Sequence, residues 1–177
     1  MEKLPLHNAV KQNDIEKVKE IIQNEAVNIN SEDENGITPL IEACISGNED
    51  IVYFLLEAGS PAQPPDGFRH SPLRGATVCG NAHLIPILLK YGADPNALSD
   101  GNRTPLMGAC FLRNGVPAEK SILCVKELLK DERTDLTILN SFGESALDLA
   151  KARGYTESLK LLQETLYQRK NRNEPQS

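Results

Sequence analysis

The residues best suited to chemistry are four bases gathered in the middle of the chain. Arg69 and His70 stand immediately before Ser71-Pro72-Leu73, Arg74 follows directly, and Arg103 stands immediately before Thr104-Pro105-Leu106. Ser or Thr followed by Pro marks a helix start, because the hydroxyl caps an open N–H and proline's missing N–H costs nothing there. A helix start carries partial positive charge, so an exposed cation beside it is unfavourable by ~0.3–1 kcal/mol. Cations placed there together with open N–H groups suit an anion, a carboxylate or a phosphate. A second arrangement, Cys79 and His83, pairs a nucleophile type with a base type. Gly80-Asn81 breaks the helix between them, so a loop thiol and an exposed imidazole is the preferred reading. The chain has no phosphate-binding P-loop, dinucleotide glycine fingerprint, H-E-x-x-H zinc motif or G-x-S-x-G elbow.

The elements that position these residues recur. Pro5, Pro39, Pro72, Pro105 and Ala146 are spaced by 34, 33, 33 and 41 residues. The apolar pairs Ile21-Ile22, Leu55-Leu56, Leu88-Leu89, Leu128-Leu129 and Leu161-Leu162 follow at 34, 33, 40 and 33. Residues 35–60 show the unit: a Gly36 turn, Thr38 and Pro39 opening a first helix, a Gly47-Asn48 break, and a second helix with the stripe Ile51, Val52, Leu55 and Leu56. Two such helices cannot bury their apolar faces alone, so the units must stack. A turn plus two helices at a period near 33 is the pattern of ankyrin repeats. Thr38-Pro39-Leu40, Ser71-Pro72-Leu73, Thr104-Pro105-Leu106 and Leu88-Leu89-Lys90-Tyr91-Gly92-Ala93-Asp94-Pro95-Asn96 resemble that family's motifs.

The resemblance covers residues 3–166 and implies an all-α solenoid of helix-turn-helix units with short β-hairpin loops. The repeats fall at 4–30, 31–63, 64–97, 98–138 and 139–166, and residues 167–177 read as a disordered polar tail. Two repeats depart from the pattern. In the third, Asp66-Gly67 takes the turn and Pro86 should distort the start of the second helix. In the fourth, Asp100-Gly101-Asn102-Arg103 repeats the altered tip. About seven extra residues, near 113–120, should lie at the edge away from the hairpins, and Pro117 could start a longer second helix there.

Composition excludes several classes. The chain has 177 residues, 40% of them hydrophobic, a net charge of −6 and a sequence pI of 5.1. No apolar run approaches the ~18 residues of a membrane span, and no apolar leader opens the sequence, so a cytoplasmic protein is expected, with the nucleus also open to it. The acidity argues against nucleic acid. Four cysteines include no C-x-x-C or metal-ligand spacing and read as small buried thiols; no metal or cofactor is expected. Charge is uneven: residues 1–66 hold 4 Lys/Arg against 13 Asp/Glu, whereas residues 67–113 hold 5 against 2. Repeat 5 has Glu144 and Asp148 where repeats 3 and 4 have bases.

In the resembling family the hairpin tips and the exposed side of the first helices form a concave binding surface. The resemblance therefore implies an interaction module, an adaptor, scaffold or stoichiometric inhibitor, acting as a monomer on another protein. Adjacent first helices lie roughly 8–10 Å apart, which would cluster Arg69, His70, Arg74 and Arg103. With Phe68, Met107 and Phe111 as apolar anchors, they are expected to bind an acidic or phosphorylated segment. Two alternatives stand beside this reading. Asn96 occupies a place where the family's asparagine can be hydroxylated by an oxygenase, although such an asparagine also bonds the hairpin backbone. An enzyme using Cys79 and His83 is the remaining alternative.

Overall fold

In the computed structural model, residues 4–24, 27–64 and 70–173 are described. Ten α-helices run through these segments in five pairs: α1 (Pro5–Lys11) with α2 (Ile15–Asn24), α3 (Pro39–Ser46) with α4 (Glu49–Glu57), α5 (Pro72–Val78) with α6 (Ile85–Lys90), α7 (Pro105–Ala109) with α8 (Glu119–Leu129), and α9 (Ala146–Ala152) with α10 (Thr156–Asn173). The first helices stack in sequence order, α1 on α3, α3 on α5, α5 on α7 and α7 on α9, and the second helices form an outer row behind them. The fold is all-α: no strand occurs among the described residues, and the hairpins reduce to the isolated Ser99–Arg103 bridge and hydrogen-bonded turns.

The helix starts follow from local chemistry. Thr38, Ser71 and Thr104 each accept a hydrogen bond from the backbone N–H three residues on, and each is followed by proline. Ser145 does the same and adds a reciprocal bond to Asp148, a full capping box. Behind the caps, one continuous core runs from Leu6 to Leu162, with Leu40, Leu73 and Leu106 at equivalent places in three repeats. A run of such layers is what allows helices of five to ten residues, too short to persist alone, to hold.

Repeats 3 and 4 deviate for identifiable reasons. Pro86 cannot donate a backbone bond, so the second helix of repeat 3 opens as a 3-10 turn (Ala82–Leu84) and restarts at Ile85. The extra residues of repeat 4 fold back over repeat 3. The Arg113 N–H donates to the Val78 carbonyl at 2.7 Å, and Leu112 is buried. Gly80 lies under the insert at φ +72°, and a Cβ there would come within 2.7 Å of the Lys120 side chain. After the insert the second helix begins at Glu119, two residues past Pro117.

The C-terminal segment differs from the sequence expectation. Residues 167–173, read as disordered tail, continue α10. Arg169 explains the extension: its guanidinium donates to the carbonyls of Thr134 and Leu129 at the end of repeat 4, while Leu166 packs on the core. Polar composition concealed these tertiary contacts. Among the described residues no helix is long and apolar enough to cross a membrane.

Candidate functional site

Along the row of first helices, a pocket of about 170 Å³ opens between α7 and α9, with α5 at its border. Four of the residues singled out in the sequence line it: Arg74, Arg103, Met107 and Phe111. Each owes its place to a repeat position. Arg74 sits in the first turn of α5, where the Ser71 hydroxyl accepts its backbone N–H at 3.2 Å. Arg103 closes the repeat 4 hairpin, its backbone exchanging bonds with Ser99 at 3.0 and 3.4 Å. Met107 lies one layer along from Arg74 and is only 1% exposed, so it floors the pocket instead of projecting as an anchor. Phe111 follows the end of α7, 44% exposed, and the Arg153 guanidinium lies 3.6 Å over its ring.

The electrostatics favour an anion. The Arg74 side chain is half-buried and its Nε is shielded from solvent without a hydrogen-bond partner. Burial pushes its pKa below the ordinary arginine value, Arg103 pushes it further the same way, and Asp100 opposes both. Neither guanidinium enters an ion pair among the described residues. A shielded donor without an acceptor costs ~1–3 kcal/mol. Glu144 also lines the pocket, but the Asn140 amide binds its carboxylate at 2.9 Å.

Of the remaining expected site residues, Phe68 and Arg69, with the Asp66-Gly67 turn, lie outside the described residues. His70 is half-buried at the start of the repeat 3 cap. The sequence reading missed Phe142, which is 75% exposed at the repeat 5 hairpin tip and forms a wall of the pocket. A signal existed: Phe142 stands three residues before the Ser145 cap, as Phe68 stands three before Ser71. Leu149, Ala152 and Arg153 also belong to this surface, and nothing in the linear pattern separates them from ordinary helix positions.

The other candidates are not arranged for catalysis. The His83 Nε2 faces the Gly47 carbonyl at 3.1 Å, toward repeat 2, while Cys79 sits beside Arg113 of repeat 4. Burial pushes the Cys79 thiol up, against the lowering influence of Arg113. A raised pKa keeps the thiol protonated, the opposite of what a nucleophile needs. The Asn96 amide joins two repeats: its Nδ2 donates to the Arg133 carbonyl at 2.7 Å, and its Oδ1 accepts the Asp135 N–H at 2.8 Å. Both ends of that side chain are committed to the loop of repeat 4. Among the described residues no group of three or more His, Cys, Asp or Glu side chains could hold a metal ion.

Comparison with known proteins agrees with this architecture. The family described as "Ankyrin repeats (3 copies)" matches residues 2–66. Ankyrin repeat domain-containing protein 7 of Homo sapiens is 40% identical over 52 residues, a stretch covering 29% of this chain and 20% of that relative. The matched residues make up 65 of the 177 in the chain.

Proposed function

This chain is an ankyrin-repeat protein, and from that premise we propose that it binds a protein partner through the concave side of repeats 3 to 5. Ankyrin repeats are generally protein-interaction modules. The partner segment is acidic or phosphorylated and seats against Arg74 and Arg103, with Phe111 and Phe142 supplying apolar contact. The observation that carries this reading is the pair of guanidiniums gathered beside one apolar pocket, with no carboxylate of the described residues in an ion pair with either. The chain acts as an adaptor, scaffold or stoichiometric inhibitor; such a binder needs shape and charge, and no catalytic constellation.

Affinity capture with the full chain, followed by titration of the captured partner, tests this. Charge-assisted hydrogen bonds contribute ~1.5–3 kcal/mol each, so Arg74→Glu with Arg103→Glu should weaken binding at least about tenfold. Lys126→Glu, a charge reversal on the exposed side of α8, serves as control and should leave affinity unchanged. Equal affinities for the double variant and the parent at low salt would refute the proposal.

A further inference from the structure

The pocket is more specific than a charged surface. Its floor is apolar, formed by Met107, Gly108, Leu149 and Ala152, and its volume of about 170 Å³ is the size of one side chain. For scale, an engineered apolar cavity of ~150 Å³ in another protein binds benzene. An aromatic or long aliphatic side chain would fill it, whereas a helix or a strand backbone would not enter. Phe142 and Phe111 are exposed in the same lining, which also holds Arg74 and Arg103, neither in an ion pair among the described residues. Glu144 in the same lining limits how much negative charge the mouth tolerates, which favours a single carboxylate over a dianionic phosphate.

Resting on the reading above that the concave side binds protein, we propose the chemistry of the bound segment. The pocket between α7 and α9 takes one large apolar side chain, Phe, Leu or Met, from an extended peptide, and Arg74 and Arg103 take the carboxylate of an Asp or Glu beside it. The anchor supplies buried area and the carboxylate supplies position, the usual division in peptide recognition. Ala152 offers a direct way to close the pocket: it is exposed at the end of α9 and lines the cavity, so a larger side chain there fills the space without entering the core.

The test is selection of a random peptide library, displayed on phage, against the full chain and in parallel against Ala152→Phe. Enriched peptides should share a Phe, Leu or Met next to Asp or Glu. The synthetic peptides should lose at least about tenfold in affinity on Ala152→Phe and on Arg74→Glu with Arg103→Glu. Phe142→Ala, which removes an exposed wall and leaves the core alone, should weaken them by about threefold or more. Peptides sensitive to the charge reversal but indifferent to Ala152→Phe and Phe142→Ala would overturn the anchor pocket while leaving concave-face binding intact. Peptides indifferent to every variant would overturn both. Enriched sequences without an acidic residue, stronger binding of phosphoserine than of Glu at that place, or no enrichment over the Ala152→Phe control would also overturn this proposal.

Discussion

The junction between α3 and α5 and the junction between α7 and α9 are built from equivalent repeat positions and each carries a pocket, of about 200 and 170 Å³, yet only the second is lined by cations. At the first, Gly75 lets α5 settle onto α3, with Ile45 and Ile41 at 3.4–3.6 Å from where a Cβ would stand. At the second, α7 is cut to five residues because the chain leaves for the repeat 4 insert. Gly108 brings α7 against Thr77 and Val78 of α5, so close that a Cβ would lie 2.6 Å from the Thr77 Oγ1. The space left toward α9 is the pocket. Charge differs in parallel. On the other side of α3, Lys11 of α1 reaches Asp33 and Glu42 at 3.8 and 3.9 Å. At the α7–α9 junction Arg74 and Arg103 find no such partner among the described residues. The pocket beside α3 has an uncharged lining, whereas the pocket beside α9 leaves two cations available to another molecule.

The largest expected contrast is in the core. Leu73→Ala, on α5 at a site 1% exposed, should cost ~2–5 kcal/mol in urea denaturation. Leu149→Ala, which already borders the open pocket, should cost roughly half that. Equal losses would mean that the two junctions are packed alike. Next comes the glycine pair. Gly108→Ala forces Thr77 aside and should cost ~1–3 kcal/mol. Gly75→Ala meets only ordinary contacts and gains helix propensity, so its thermal unfolding should stay within about 1 kcal/mol of the parent.

A third prediction concerns the core behind the pocket. Cys110, at the C-terminal cap of α7, is fully buried, and its thiol is pushed up to about 12 by burial first and by Cys124 second. The unfolded thiol ionises near ~8.5, so the native state favours the neutral form. That contribution is complete below about pH 8.5 and declines by at most ~1.4 kcal/mol per pH unit as pH rises toward 12. Cys110→Ala should therefore flatten the fall in stability between pH 8 and pH 10 by about 1–2 kcal/mol. An unchanged slope would show that the Cys110 thiol is not shielded from water in solution. The smallest effect is at the caps. Thr38→Ala and Ser145→Ala should each cost ~1 kcal/mol, with Ser145 the costlier because its reciprocal bond to Asp148 is lost too. Identical melting-temperature shifts would remove that distinction.

Much of this was legible in the sequence, because the signals were local. Hydroxyl-proline pairs marked the helix starts, and the Ile and Leu pairs marked the second helices. The insert was visible as a lengthened period, but not its consequence, a shortened α7 and a gap beside it, which depends on packing between repeats. Arg74, Arg103, Met107 and Phe111 were found from their offsets to the caps; that Met107 is a floor and Phe142 a wall required three dimensions. Residues 167–173 looked like a tail because Arg169 acts through carbonyls of another repeat, invisible to composition.

Hydrogen–deuterium exchange of the full chain, alone and with the partner captured by it, tests the central claim most directly. The account predicts new protection in residues 105–113 and 140–153, around the α7–α9 junction, with α3 and the outer helices α4 and α8 unchanged. Protection confined to residues 5–57, or to the outer helices, would contradict it.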